Sequence, residues 1–166
     1  NSGRDVAARL PAFDYPNARI IRSRIPNRIF NYPLLKLLRR PRLDKLAEKL
    51  TGERIDIFFM PHTNFAAWSS CVKSVLAVHD LSFFFFPEFF SWRKNLWHRF
   101  LNIRSLIRRF DATVAFSENT AADIRTLSGV ASERVRVIPS GLQAGFAKLE
   151  DSDPRLAEVR RKYALP

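Results

Sequence analysis

The sequence has one cysteine, one methionine, only five glycines, and no apolar run approaching the length of a bilayer crossing. The lone thiol, Cys71, cannot form an internal disulfide, and no Cys or His cluster stands near it, so a zinc pattern is missing as well. Both points fit a reducing compartment. A spanning helix needs about 20 consecutive apolar residues, and the opening "NSGRDVAARLP" lacks the apolar core of a secretory signal. Neither a membrane span nor export is therefore expected. Met60 is the sole methionine, so the chain is expected to be a piece of a longer protein. There is no Gly-rich phosphate loop, no G-x-S-x-G elbow and no H-E-x-x-H, and His62, His79 and His98 have no metal-ligand spacing. The expectation is no metal and no tightly bound cofactor.

Acidic residues are also in short supply, 16 against 28 Lys plus Arg, which leaves a net charge of +12. Such a balance favours anionic partners: phosphorylated ligands, acidic lipid head groups or nucleic acid. No RNA-recognition module accompanies the charge, so nucleic acid is not expected as a partner.

What is present is ordinary for a folded domain. With 166 residues, 46% of them apolar and 27% charged, the chain can bury a real core. "NARIIRS" (17–23) reads as a strand, followed by a Pro- and Asn-punctuated connection. "LLKLLRR" and "RLDKLAEKL" carry helical spacing, interrupted at Pro41 and stopped by Gly52. "RIDIFFM" (54–60), "SVLAVHD" (74–80), "DATVAFS" (111–117) and "RVRVIPSG" (134–141) read as strands. "ENTAADIRTLSG" reads as a helix stopped near Gly129, with Ser117 or a Thr120–Asp123 box as its cap, and Asp153-Pro154 opens a last helix. Ser91 can cap a helix in which Trp92, Leu96, Phe100, Ile103, Ile107 and Phe110 share one buried face, with His98, Asn102, Ser105 and Arg109 opposite. This order predicts an α/β fold, a mainly parallel sheet whose uniformly apolar strands are covered by helices on both faces.

In such a sheet, ligands bind outside the carboxyl ends of the strands. The residues there are Pro61-His62, His79-Asp80, Ser117-Glu118 and Ser140-Gly141. His79 can donate to a ligand oxygen or act as acid or base near neutral pH, or it can simply cap a loop. Asp80 can orient the loop, and Ser117 can hold an anion with the following amides or cap the helix. Between them and the basic helix runs "SFFFFPEFFSWRKNLWHRF" (82–100), too short and too broken by Pro87 to span a bilayer. It is expected to form a loop with at least one exposed ring, and Phe84, Phe85, Arg93, Lys94 and Trp97 are the candidate membrane or acceptor surface.

"DIFFMPH", "VLAVHDLSFFFFPEFFSWRKNLWHRFLN", "RRFDATVAFSENTAADI" and "ERVRVIPSGL" together resemble, in order and spacing, the amino-terminal domain of the retaining GT-B glycosyltransferases (glycosyl transferase group 1, family 4-like). The resemblance covers more than half of the chain. It implies a Rossmann-like amino-terminal half of a GT-B fold. It also implies transfer of a mannose- or glucose-type sugar, with retention, from a GDP- or UDP-sugar to a glycan or lipid-linked acceptor. Residues 1–141 would be a partial acceptor-side domain, and 142–166 a hinge segment and helix leading to an absent second domain. His79 falls on the family position facing the donor sugar, and Ser117 and Glu118 fall on a strand end lining the same cleft. Ser140 and Gly141 fall where the chain leaves for the hinge, at a position often occupied by Asn-Gly. No protein nucleophile is assigned. The chain is expected to lack the first strand with its Gly-rich turn as well as the second domain, and so to be inactive in isolation. Cytoplasmic placement at the inner membrane face would follow. The alternative reading is a basic membrane-binding or interaction module without catalysis.

Overall fold

The computed structural model describes residues 41–142, 146 and 148–165. The strand expected over 17–23 and the helical segment over 34–40 lie outside them. Four short strands, β1 (Ile57–Met60), β2 (Lys73–Val78), β3 (Ala112–Ala115) and β4 (Val135–Val137), form one sheet in the order β1-β2-β3-β4, every neighbouring pair parallel. Helix α1 (Leu43–Thr51) precedes β1. Between β2 and β3 come α2 (Ser82–Phe85), a 3-10 turn (Pro87–Phe89), α3 (Trp92–Leu101) and α4 (Ile103–Arg109). Helix α5 (Glu118–Ser128) and a second 3-10 turn (Ser132–Arg134) join β3 to β4, and α6 (Pro154–Tyr163) follows. The architecture is the expected Rossmann-like α/β.

The strands step in one direction across the sheet, and right-handed crossovers then place α3–α4 and α5 against the same face. Register puts Leu76 beside Thr113 and Val78 beside Ala115 on that face. Leu76, Val78, Ala115 and Val135 merge there with Leu101, Ile107, Phe110, Ile124 and their neighbours into one buried cluster. Each fully buried side chain of this size contributes about 1.5–3 kcal/mol, so this single cluster dominates the packing energy of the described residues. On the other face, Ile57, Phe59 and Arg136 are exposed.

Helix ends follow local chemistry. Gly52 and Gly129 close α1 and α5 with φ of 75° and 67°, the left-handed region that costs glycine least. Asp153 caps α6 by accepting from the Arg155 amide at 2.9 Å. Ser117 caps α5 by accepting from the Thr120 amide at 3.1 Å, so Thr120 sits inside the first turn and a Thr120–Asp123 box does not form. Ser91 stands at the cap position of α3 but makes no side-chain capping bond.

One expectation is corrected. The helix read continuously over 92–110 breaks at Asn102, whose φ of 49° and ψ of 70° end α3, and whose side chain accepts from the Ser105 amide at 3.1 Å to start α4. A left-handed residue resets the helical phase, so the spacing that aligned six apolar residues no longer describes one face. Ile103, Ile107 and Phe110 are buried together with Leu101 and Leu106, whereas Trp92, Leu96 and Phe100 are exposed. His98, expected on the outer face, is instead stacked on Phe83 with ring centroids 4.0 Å apart.

Polar ties gather where β2 and β3 begin. Ser74 donates from its amide and its hydroxyl to Asp111 Oδ2, both at 2.8 Å, and the Asp111 amide donates back to Ser74 Oγ at 3.2 Å. The Arg134 guanidinium donates to the carbonyls of Arg108, Phe110 and Asp111 and so satisfies the end of α4. Buried Asp44 accepts from the Ser69 amide at 3.0 Å and ties α1 to the connection over 61–72.

Candidate functional site at the carboxyl edge of the sheet

Parallel strands deliver their carboxyl ends to one edge, and here the ends of β1, β2 and β3 are joined through a single side chain. His79, one residue past β2, lies with Nε2 3.1 Å from the carbonyl oxygen of Pro61, one residue past β1. Its ring is stacked on Phe116, one residue past β3, at a centroid distance of 4.3 Å and an interplanar angle of 16°. The His79 carbonyl in turn accepts from the Thr120 hydroxyl at 3.4 Å, in the first turn of α5. A carbonyl cannot donate, so Nε2 carries the proton, and in the neutral ring Nδ1 is left as an acceptor. The imidazole is itself exposed. The exposed ring therefore presents Nδ1 as an acceptor for a ligand hydroxyl at this edge.

The flanking residues divide into two kinds. Asp80 Oδ1 accepts from both the amide and the hydroxyl of Ser82, at 2.9 and 2.6 Å, and thereby starts α2. Its first task is to set the loop. Ser117 uses its hydroxyl on Thr120, amide and hydroxyl alike, which is helix capping. Glu118, in the first turn of α5, and His62, past β1, are exposed on the same edge. Gly141 follows β4 with open space around it, so no close approach there demands a glycine. The structure thus brings His62, His79, Asp80, Ser117 and Glu118 to one edge of the sheet. Sequence reading missed Phe116 and the Pro61 carbonyl. The first was hidden as the last apolar residue of a strand, and the second acts through its backbone.

The aromatic segment is more ordered than a loop. It folds as α2 and the Pro87–Phe89 turn, and Asn95 Nδ2 donates to the Pro87 and Phe90 carbonyls at 2.8 and 3.3 Å, which pins the turn to α3. Phe84, Phe85, Arg93 and Lys94 are exposed, as expected. Trp97 is corrected. It packs against the core with its ring edge-on to Phe65 at 5.7 Å, because the phase of α3 turns it inward. His98 lies beneath the turn. Burial lowers its pKa from the ordinary 6.5, nearby Lys94 adds to the lowering, and Asp80 opposes it.

Among the described residues no three His, Cys, Asp or Glu side chains cluster as metal ligands, and no helix is long and apolar enough to cross a membrane. An open depression of about 440 Å³, lined by Lys45, Glu48, Arg54, Ile55, Cys71 and Val72, lies at the opposite, amino-terminal end of β1 and β2.

Two serotype-specific mannosyltransferases named WbdA, both from Escherichia coli, are each 30% identical to the chain over 94 residues. The matched stretch is 57% of this chain but only 12% and 11% of those relatives, so the chain spans a small part of their length. No solved structure matches significantly. The family model for Glycosyltransferase Family 4 matches residues 4–144, which takes in all four strands and the edge they share. The chain therefore belongs to glycosyltransferase family 4, and its parallel sheet is a Rossmann-like part of a GT-B transferase.

Proposed function

We propose that the carboxyl edge of the sheet forms the acceptor-side wall of a cleft. There a mannose- or glucose-type hexose passes, with retention, from a GDP- or UDP-sugar to a glycan or lipid-linked acceptor. The observation that carries this reading is His79, held by Pro61 and Phe116 with one nitrogen left for a ligand. In the cleft, His79 accepts or donates to a hydroxyl of the donor sugar and fixes its orientation. Asp80 holds the loop that presents His79, while Glu118, His62 and Gly141 line the approach. The Ser117 cap aims the first amides of α5 at the same space, where they favour an anionic group. The mannosyltransferase relatives support mannose over glucose.

Residues 1–141 act as the acceptor-side domain, and 142–166 lead through a hinge into a second domain that supplies the nucleotide contacts. The chain by itself is then inactive, and the intact enzyme works on the cytoplasmic side, where activated sugars are available. Calorimetry of the isolated chain with GDP-mannose and UDP-glucose is expected to give no measurable heat, since most of the binding surface is elsewhere. Tight binding of either would refute the division between domains. Hexose transfer by the intact transferase, assayed with both donors and with the anomeric configuration of the product determined, tests the reaction. Inversion, or transfer unaffected by His79→Ala, would overturn the reading.

A further inference from the structure

The imidazole of His98 sits in an aromatic cage, and one of its nitrogens is buried there without a hydrogen-bond partner, Nδ1. Phe83 stacks on the ring at 4.0 Å and 12°, while Phe90 and Trp97 meet it edge-on at 5.9 and 4.9 Å. Phe83 belongs to α2 and Phe90 follows the Pro87–Phe89 turn, so one imidazole ties both pieces of the connection after β2 to α3. That connection starts at His79 and Asp80. An N–H at the buried Nδ1 would have no acceptor, so the neutral ring carries its proton on Nε2. A second proton has to enter among the aromatic rings, where an unpaired charge is costly.

The charges acting on the ring are Lys94, one turn back on α3, which opposes protonation, and Asp80, which favours it. Helix α2 carries no charged side chain, and Glu88 on the following turn and Arg99 on α3 are exposed. Asp80 is the acid that could answer an imidazolium, but it is already engaged. Its Oδ1 accepts from the amide and the hydroxyl of Ser82, the two bonds that start α2. Those bonds fix the carboxylate, so turning it toward a newly formed Nδ1–H gives them up.

We propose that His98 is a positioning residue for the site at the carboxyl edge. As a neutral ring it clamps the connection that carries His79 and Asp80, and taking up a proton draws Asp80 from Ser82 and releases the clamp. Burial and Lys94 keep the folded imidazole from charging until the pH falls below its ordinary 6.5, so the clamp is closed at neutral pH and opens on acidification. The clamp is a property of the chain, whereas its effect on sugar transfer rests on the reading of the edge as the wall facing the donor sugar.

The test is an NMR titration of the 166-residue chain, following the His98 ring, the Phe83 ring and the Ser82 amide from about pH 8 to about pH 4. All three are expected to move with one midpoint, below 6.5. In His98→Phe, which keeps the cage filled, the Ser82 amide should stay in place down to the carboxylate range near pH 4. Asp80→Asn should push the His98 midpoint lower still, because the acid that favours the charged ring is gone. In the intact transferase, His98→Ala should lower kcat at neutral pH on the order of tenfold. His98→Phe should restore it and make the acid limb of the kcat profile shallower than the wild type's. A Ser82 amide that stays in place while His98 titrates, or that moves equally in His98→Phe, would overturn the clamp. Identical acid limbs in the wild type and His98→Phe would overturn its link to transfer. His79→Ala, assayed at neutral pH where His98 is uncharged, checks the edge by itself: full turnover there would refute the reading of the edge and leave the clamp standing.

Discussion

The imidazole of His79 lies face to face with the ring of Phe116, and the same imidazole donates to the carbonyl of Pro61. These two contacts orient an exposed ring, although its residue follows rather than belongs to a strand. In the intact transferase, His79→Ala is expected to lower turnover about a hundredfold. Phe116→Leu, which keeps an apolar side chain but loses the stacked plane, should lower it on the order of tenfold. Both are read as kcat in a hexosyl-transfer assay. Neither should shift the urea midpoint of unfolding by more than about 1 kcal/mol equivalent, since His79 is exposed.

Asn102 carries a left-handed backbone and a capping side chain at once. Asn102→Ala should destabilise the chain by about 1–2 kcal/mol, combining strain at positive φ with loss of the bond to the Ser105 amide. Asn102→Gly relieves the strain and loses only the cap, so it should cost less than the alanine. Urea denaturation of the two variants checks the order, and equal costs would mean that the backbone conformation is not what the asparagine provides.

The hydrogen bond from the Ser74 hydroxyl, reinforced by its amide and by Lys73 and Arg134, holds the Asp111 carboxyl below its ordinary pKa of 3.8 despite partial burial. A depressed carboxylate contributes stability above its unfolded pKa and loses it as pH falls through the lower folded value. Thermal unfolding of the wild type should therefore weaken below about pH 4. Asp111→Asn should flatten that slope and cost about 1 kcal/mol at neutral pH, a modest figure because the carboxyl is half exposed.

His98 loses stability in the same direction, on acidification, but at higher pH. Its Nδ1 is buried with no hydrogen-bond partner, and its pKa lies below 6.5. The unfolded chain takes up the proton first as pH falls, so stability is complete above pH 6.5 and declines below it until the folded pKa is reached. Melting temperatures compared at pH 7.5 and 5.5 should show this loss in the wild type. His98→Phe, which keeps the stack on Phe83, should remove it, and an NMR titration of the imidazole places the folded pKa directly.

Much of the fold was legible because its punctuation is local. Gly52 and Gly129 end helices by backbone conformation, Ser117 and Asp153 begin them by accepting an amide, and the four strands appear as apolar runs. The break at Asn102 was not legible. An asparagine inside a helix costs well under 1 kcal/mol by propensity, and the apolar spacing runs straight across it, so nothing local distinguishes one helix from two. The strand-end rule placed His79 and Asp80 at the carboxyl edge, where they lie, since it depends only on where apolar runs stop. It could not find the Pro61 carbonyl, because a backbone acceptor has no residue type. Trp97 was misplaced for the same reason as the helix, because its direction depends on the phase that Asn102 resets.

The clasp between Ser74 and Asp111 and the three-carbonyl grip of Arg134 all lie at the rim where β2, β3 and β4 start, whereas the His79 cluster lies at the rim where the strands finish. The two ends of the sheet thus do separate jobs. One rim is a fastening, and the other carries the loops of the proposed cleft. In such a division, loops at the finishing rim are free to change in sequence while the side chains that secure the strands stay as they are.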